Sequence, residues 1–144
     1  MRYVFNQEET IRYRYPTHVN DLLYGREEAA TTETFFVVLD PGEAPPLHVH
    51  PDVEQVFYMI EGTGELQIGK DDAKQVFTLR PGDVVRVPPG THHSVYNPTQ
   101  AVVRYLAVDA FSGPRDPSEP TWDSHAEALS NTYGWDWSKI KGAK

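Results

Sequence analysis

Short runs of alternating apolar and polar residues, each ended by glycine, proline, asparagine or aspartate, fill the middle of the chain. Such alternation places apolar side chains on one face of a β-strand. The runs recur about every ten residues, which is typical of an antiparallel sandwich or barrel. No helical periodicity precedes residue 120. We therefore predict an all-β fold with strands over residues 33–40, 55–60, 65–68, 75–79, 83–87, 93–97 and 101–108.

The first 32 residues are less regular, with four tyrosines in a polar background. We predict an extended N-terminal arm over residues 1–32 that contains one or two strands. An aromatic arm of this kind can pack on its own barrel or form the contact of a homodimer. Both alternatives stay open at this stage.

The end of the chain has a different composition. Residues 112–120 contain three prolines and predict a stiff linker. After it, Ser124 can cap a short helix over residues 124–132, and Gly134 lies just past its end. The tail also carries all three tryptophans of the chain, which favours docking on the barrel, over its mouth or an edge. The predicted organisation is an arm (1–32), a barrel (33–111) and a docked tail (112–144).

Charge and cysteine content exclude several classes of function. The formal net charge is −8, which argues against nucleic-acid and anionic membrane partners because phosphate contacts need clustered lysine and arginine. No run is apolar and long enough to span a bilayer, and no signal-peptide pattern is visible, so we predict a cytoplasmic protein. The chain has no cysteine. Any metal must therefore be held by histidine, aspartate, glutamate or glutamine.

Two segments of the chain contain the histidines that could bind a metal. On a strand, His48 and His50 would point the same way with Cα atoms about 6–7 Å apart, close enough to bind one ion together. The second segment begins with a turn at Gly82, continues as a strand that ends at Pro88, and then reaches His93. This turn can return His93 to the first pair as a third metal ligand from a distant segment.

The spacing of both segments resembles the cupin superfamily. Its first motif matches Gly42, His48, His50 and Gly62, and its second matches Gly82, Pro88, Gly90, His93 and Asn97. The resemblance implies a cupin-type jelly-roll β-barrel, here with an N-terminal arm and a short C-terminal helical tail. It also implies one divalent metal ion, held by His48, His50 and His93 near one end of the barrel.

The fourth ligand departs from the family pattern, which has a glutamate. Counting forward from His50 gives Glu54, and counting back from Gly62 gives Gln55. On a regular strand, residues an even number of positions apart share a face, so counting from His50 favours Glu54. Pro51 can interrupt the strand and change which residues share that face. Similar small cupins have a Glu-Gln pair whose glutamine binds the metal. We therefore predict Gln55 as the ligand, with Glu54 as the alternative or as a residue beside the ligands.

The four predicted ligands affect how strongly the metal ion can act as a Lewis acid. Three imidazoles and an amide leave the ion its full charge, so it would act as a strong Lewis acid. Zinc, nickel, iron, manganese or cobalt would suit these donors. If Gln55 faces inward, alternation also places Phe57 and Met59 inward, and Val95 follows His93, so these three are candidate pocket-lining residues. His18 and His125 lie outside the motifs and are predicted at the surface.

These observations predict a metal-dependent enzyme acting on a small molecule. Isomerase or cyclase chemistry on a carbonyl compound or sugar acid is favoured by the neutral donor set. The first alternative is a dioxygenase of the same fold, and the second is a cupin that binds a metal and a small ligand without turnover. No phosphate-binding glycine loop precedes a helix, so a nucleotide site of that type is excluded.

Overall fold

The computed structural model describes residues 1–142. These residues form nine strands and one α-helix, which confirms the predicted all-β jelly roll with a C-terminal helix. The strands are β1 (Ile11–Arg14), β2 (Val19–Tyr24), β3 (Thr32–Leu39), β4 (Val53–Glu61), β5 (Gly64–Ile68), β6 (Gln75–Leu79), β7 (Val84–Val87), β8 (His93–Tyr96) and β9 (Val103–Phe111). The helix, α1, spans Trp122–Tyr133, and short 3₁₀ turns complete the described chain.

The strands form two antiparallel sheets that enclose the core. The larger sheet has the order β1-β2-β3-β9-β4-β7, and the smaller has the order β6-β5-β8. Alternation sets which side chains face the interior, as β9 shows: Val103, Tyr105, Ala107 and Asp109 are buried while the residues between them are partly exposed. Apolar side chains from both sheets meet between them, including Val37, Leu39, Phe57, Met59, Leu66, Val85, Val95 and Val103.

The N-terminal strands extend the larger sheet beyond β3. Tyr13 and Tyr15, on and just after β1, are almost fully buried. The Tyr13 ring lies 6.3 Å from Trp137, and the Tyr15 ring lies 5.4 Å from Trp135. The aromatic residues of the first segment thus pack against those of the tail of the same chain. A role of residues 1–32 in a homodimer contact stays a prediction.

Helix α1 begins earlier than the sequence suggested. Its N-cap is Thr121, whose Oγ1 accepts from the Ser124 backbone N–H at 3.0 Å, while Ser124 Oγ accepts from the Thr121 N–H at 2.9 Å. Ser124 therefore completes a capping box and is not itself the cap, because two reciprocal hydrogen bonds satisfy more orphan donors than one. Gly134, with φ of 71°, ends the helix. No helix among residues 1–142 is long and apolar enough to cross a membrane.

Candidate metal centre

The first two histidines lie in the loop between β3 and β4, so strand alternation is not what aligns them. His48 makes a single antiparallel bridge to the first residue of β8. Its backbone N–H donates to His93 O at 3.2 Å, and the His93 N–H donates to His48 O at 2.9 Å. The Gly90 N–H donates to His50 O at 2.8 Å and holds the far end of the loop. Prolines on both sides prevent a longer ladder here, yet the bridge brings the three histidines together.

The three imidazole rings converge. Ring centroids lie 4.3 Å apart for His48 and His93, 4.8 Å for His48 and His50, and 5.6 Å for His50 and His93. One nitrogen from each ring lies within 4.8 Å of the others, a spacing that could hold a metal ion. Burial lowers the pKa of His50 to about 3 and that of His93 to about 4. The rings are therefore neutral at physiological pH, which is the protonation state that binds metal.

Strand β4 places Gln55 and Glu54 on opposite sides of the sheet. Gln55 is buried, and its Oε1 lies 2.6 Å from His93 Nε2. Its Nε2 donates to Asp109 Oδ1 at 2.7 Å, which aims the amide oxygen at the histidines. Glu54 points away and pairs with the exposed Arg86 at 3.2 Å. Of the two candidate fourth ligands, the structure brings only Gln55 to the three rings.

The contacts of His93 test whether a cation fits. Its Nδ1 faces Thr91 O at 2.9 Å and its Nε2 faces Gln55 Oε1 at 2.6 Å, so both ring nitrogens face oxygens. A neutral imidazole has a single N–H and can satisfy one of them. With Nδ1 donating to Thr91, Nε2 and Oε1 face each other with no proton between them, a repulsion that a cation bound to both would relieve. In metal-free protein, a turned Gln55 amide with protonated Asp109 also satisfies these atoms. The donor set fits a divalent metal.

A cavity of about 100 Å³ adjoins these donors. Phe57 and Val95 line it, as the sequence suggested. Met59 is fully buried but belongs to the core and is not among the lining residues. It lies two positions after Phe57 on β4, and its side chain packs within the apolar core between the sheets. Five further aromatic residues line it, namely Phe35, Tyr105, Trp122, Tyr133 and Trp135, together with polar side chains such as Asn20, Ser94 and Asp109.

Comparison with known proteins identifies the family. Residues 35–109, just over half of the chain, match the Cupin domain family. The chain belongs to the cupin family. A vicilin-like seed storage protein of Arabidopsis thaliana is 36% identical over 58 residues, covering 40% of this chain and 12% of the relative. The 3-hydroxyanthranilate 3,4-dioxygenase of Cupriavidus pinatubonensis (strain JMP 134 / LMG 1197) is 36% identical over 73 residues, covering 51% of this chain and 38% of the relative.

Solved structures show the same fold. A conserved protein with a double-stranded β-helix domain from Klebsiella pneumoniae subsp. pneumoniae MGH 78578 superposes with a TM-score of 0.65 and 20% identity. The match covers 78% of this chain and 93% of that protein. The chain spans well under half the length of the two curated relatives above. These comparisons show that the barrel is a cupin domain. The two curated relatives are named for different functions, one as a storage protein and one as a dioxygenase.

Two further histidines contribute to the cavity, although the sequence placed them at the surface. His18, after β1, is 6% exposed, and its ring stacks on Tyr15 at 4.8 Å. His125, on α1, lines the cavity from the side of the helix. Both lie outside the residues that match the cupin family, so no motif marks them. They reach the cavity because the first strands and the tail fold over the same end of the barrel.

A buried network of polar side chains behind Gln55 was not predicted from the sequence. Asp109 accepts from Gln55, and Glu33 lies beside Asp109, fully buried. Arg26 donates to both oxygens of Glu33 at 2.9 and 3.0 Å. Desolvation, followed by repulsion from Glu33, raises the pKa of Asp109 well above its usual value. Continuing the alternation of β9 past Val108 would have indicated that Asp109 faces inward.

Proposed function

We propose that this cupin is a metal-dependent enzyme that acts on a small molecule by Lewis-acid isomerase or cyclase chemistry, with a carbonyl compound or sugar acid as substrate. The observation that carries the proposal is the convergence of His48, His50, His93 and the oxygen of Gln55 at the wall of a cavity. The conclusion does not rest on the fold, since one fold hosts many activities.

The charge of the donor set favours non-redox chemistry. All four donors are neutral, so a bound divalent ion keeps its charge and can polarise a substrate carbonyl. Asp109 holds the Gln55 amide in the orientation that presents oxygen and not nitrogen to the ion. A carboxylate ligand would remove one unit of charge, and the candidate that could supply it, Glu54, is paired with Arg86 on the outside.

The cavity walls set the conditions for the reaction. Apolar and aromatic side chains, Phe57 and Tyr105 among them, surround the donors and keep most water away from the reacting atoms. A cavity of about 150 Å³ admits a benzene-sized ligand, so this one, at about 100 Å³, holds the few atoms nearest the ion. The rest of a larger substrate must extend through the opening. The site therefore fits a substrate whose reactive end is compact.

Dioxygenase chemistry is the second candidate. It is supported by the match of the barrel to 3-hydroxyanthranilate 3,4-dioxygenase, at 36% identity over 73 residues. The two candidates need different metals, because activation of dioxygen requires a redox-active ion such as iron, whereas Lewis-acid catalysis works with zinc. A cupin that binds metal and ligand without turnover is the third candidate.

Metal analysis of matched variants tests the ligand set. We expect purified protein to bind about one ion per chain, His93→Ala to lose it, and Gln55→Ala to bind it about 10- to 100-fold more weakly. Glu54→Ala is the matched control, since it removes a neighbouring side chain that faces solvent. Metal loss in Glu54→Ala with retention in Gln55→Ala would reverse the assignment.

The reaction class is tested by oxygen and metal dependence. Zinc-loaded and iron(II)-loaded proteins are incubated with a panel of small carbonyl compounds and sugar acids, with and without dioxygen, and products are followed by NMR. We expect zinc protein to turn over a member of the panel under nitrogen. Turnover by iron protein in air alone would favour the dioxygenase. Ligand binding with no turnover under any condition would favour the binding protein.

A further inference from the structure

Helix α1 brings His125 to the metal cavity, and Glu119, just before the helix, pairs with it. His125 lines the cavity from the helix, and its Nδ1 lies 2.6 Å from Glu119 Oε1. The side chains are 25% and 23% exposed, so the pair is largely shielded from solvent. Within residues 1–142 the only hydrogen bond of the His125 ring is the one at Nδ1. A short histidine–carboxylate pair with one free ring nitrogen is the arrangement found in general bases.

The pair is held rigidly. The His125 backbone N–H donates to the N-cap residue Thr121 at 3.0 Å, and the ring lies 5.5 Å from Trp122, edge to face. Trp122 is 2% exposed and anchors the start of the helix. On the other side, Arg26 Nη1 donates to Glu119 O at 3.3 Å and lies 3.8 Å from Glu119 Oε1. These contacts fix the carboxylate and the ring before any ligand arrives.

The hydrogen bond to Glu119 decides the tautomer of His125. A carboxylate accepts, so in the neutral imidazole Nδ1 carries the proton and Nε2 carries the lone pair. The charged groups around the ring are Glu119 and, beyond it, Arg26, while His48 and His50 face the same cavity. His125 therefore lies on the wall of the same cavity as these two histidines, where it can contact a ligand of the metal centre.

We propose that His125, oriented by Glu119, accepts a proton from a small ligand that binds through an acidic hydroxyl and a second oxygen at the metal centre. The proposal rests on the proposed metal site. The step is balanced within the cavity: the ligand O–H bond breaks, its electron pair stays on the oxygen, and the proton moves to Nε2 of His125. The resulting imidazolium donates through Nδ1 to the Glu119 carboxylate, which stabilises its charge.

Acetohydroxamate is a suitable probe because it is small, chelates zinc through two oxygens and loses a hydroxyl proton when it does so. Zinc-loaded protein is titrated with it by calorimetry at pH 7.5 in two buffers of different ionisation enthalpy, which gives the number of protons released. We expect release near zero for the wild type, since His125 keeps the proton. His125→Gln should release about one proton and bind the probe about tenfold more weakly.

Two further variants complete the design. Glu119→Gln keeps an oxygen for Nδ1 but removes the charge, so it should also raise proton release. Glu127→Gln removes a carboxylate from the exposed face of the same helix and should match the wild type. Release of a full proton by wild-type protein would overturn the proposal whatever the variants do. Zinc-loaded wild type that does not bind the probe would overturn it too.

Failure of the metal site itself gives a different result. Zinc content is measured before each titration, and protein that takes up no zinc contradicts the proposed function. Normal zinc content with full proton release contradicts only the role of His125. Thermal unfolding of each variant, compared with Glu127→Gln, shows whether α1 remains folded.

Discussion

Replacing His18 with asparagine should change how the stability of the protein depends on pH. His18 is 6% exposed, stacks on Tyr15 and lies 2.9 Å from Thr17 Oγ1 through Nδ1. Desolvation is the main reason why its pKa falls from 6.5 to about 3. Asparagine is uncharged at every pH and keeps a polar atom near Thr17. The variant therefore removes one titrating group while retaining a local hydrogen bond.

The sign and size of the change in the free energy of unfolding with pH follow from proton linkage. Between pH 6.5 and pH 3 the unfolded chain binds a proton at residue 18 that the folded chain does not, so the free energy of unfolding decreases as pH falls. With an unfolded pKa near 6.5, the loss from pH 7.5 to pH 5.5 is about 1.3 kcal/mol for this histidine. The figure depends little on the exact folded pKa, provided that it lies well below 5.5.

Urea unfolding at both pH values, with EDTA present so that metal occupancy does not vary, measures this quantity. The wild type should lose about 1.3 kcal/mol more than His18→Asn between pH 7.5 and pH 5.5. The comparison is made within each protein, so the loss of ring packing in the variant cancels. Equal pH dependence in the two proteins would refute the reasoning, because His18 would then be protonated equally in the folded and unfolded states.

Two predictions concern other parts of the fold. Glu33→Gln should lower the free energy of unfolding by about 3 kcal/mol in urea, because it leaves the buried Arg26 without its carboxylate; an unchanged stability would contradict this. Gly62→Ala should destabilise more than Gly82→Ala in the same assay. Both glycines have positive φ, but a Cβ at Gly62 would lie 2.3 Å from Val102 O, whereas nothing lies within 4 Å at Gly82. Equal losses would show that backbone strain alone matters.

Local sequence was sufficient to predict an antiparallel β-sandwich or barrel, and the resemblance to cupins added the jelly-roll topology. Alternation of apolar residues and the positions of glycine and proline located β6 at its observed bounds and the start of β8 at His93. These features depend on residues that are near one another in the chain, or on a spacing that local turns fix.

The position of the fourth donor needed the tertiary structure. Strand parity counted from His50 favoured Glu54, but the loop around Pro51 interrupts the pairing and resets which residue faces inward. The structure then places Gln55 opposite Asp109 across β4 and β9, so the partner that orients the amide comes from 54 positions later in the chain. Pro51 marked a possible change of parity in the sequence, but the register between β4 and β9 is not encoded in a local pattern.

By itself, then, the sequence determined the strands, the turns and the three histidines with the spacing of a metal site. The tertiary structure alone decided which residue orients the Gln55 amide and which groups face the histidines across the cavity. His18 and His125 come from segments before and after the barrel, and they meet there because β1, β2 and α1 pack around the same end. The physical reason is that alternation reports burial on one strand, whereas a site depends on which distant segments dock together.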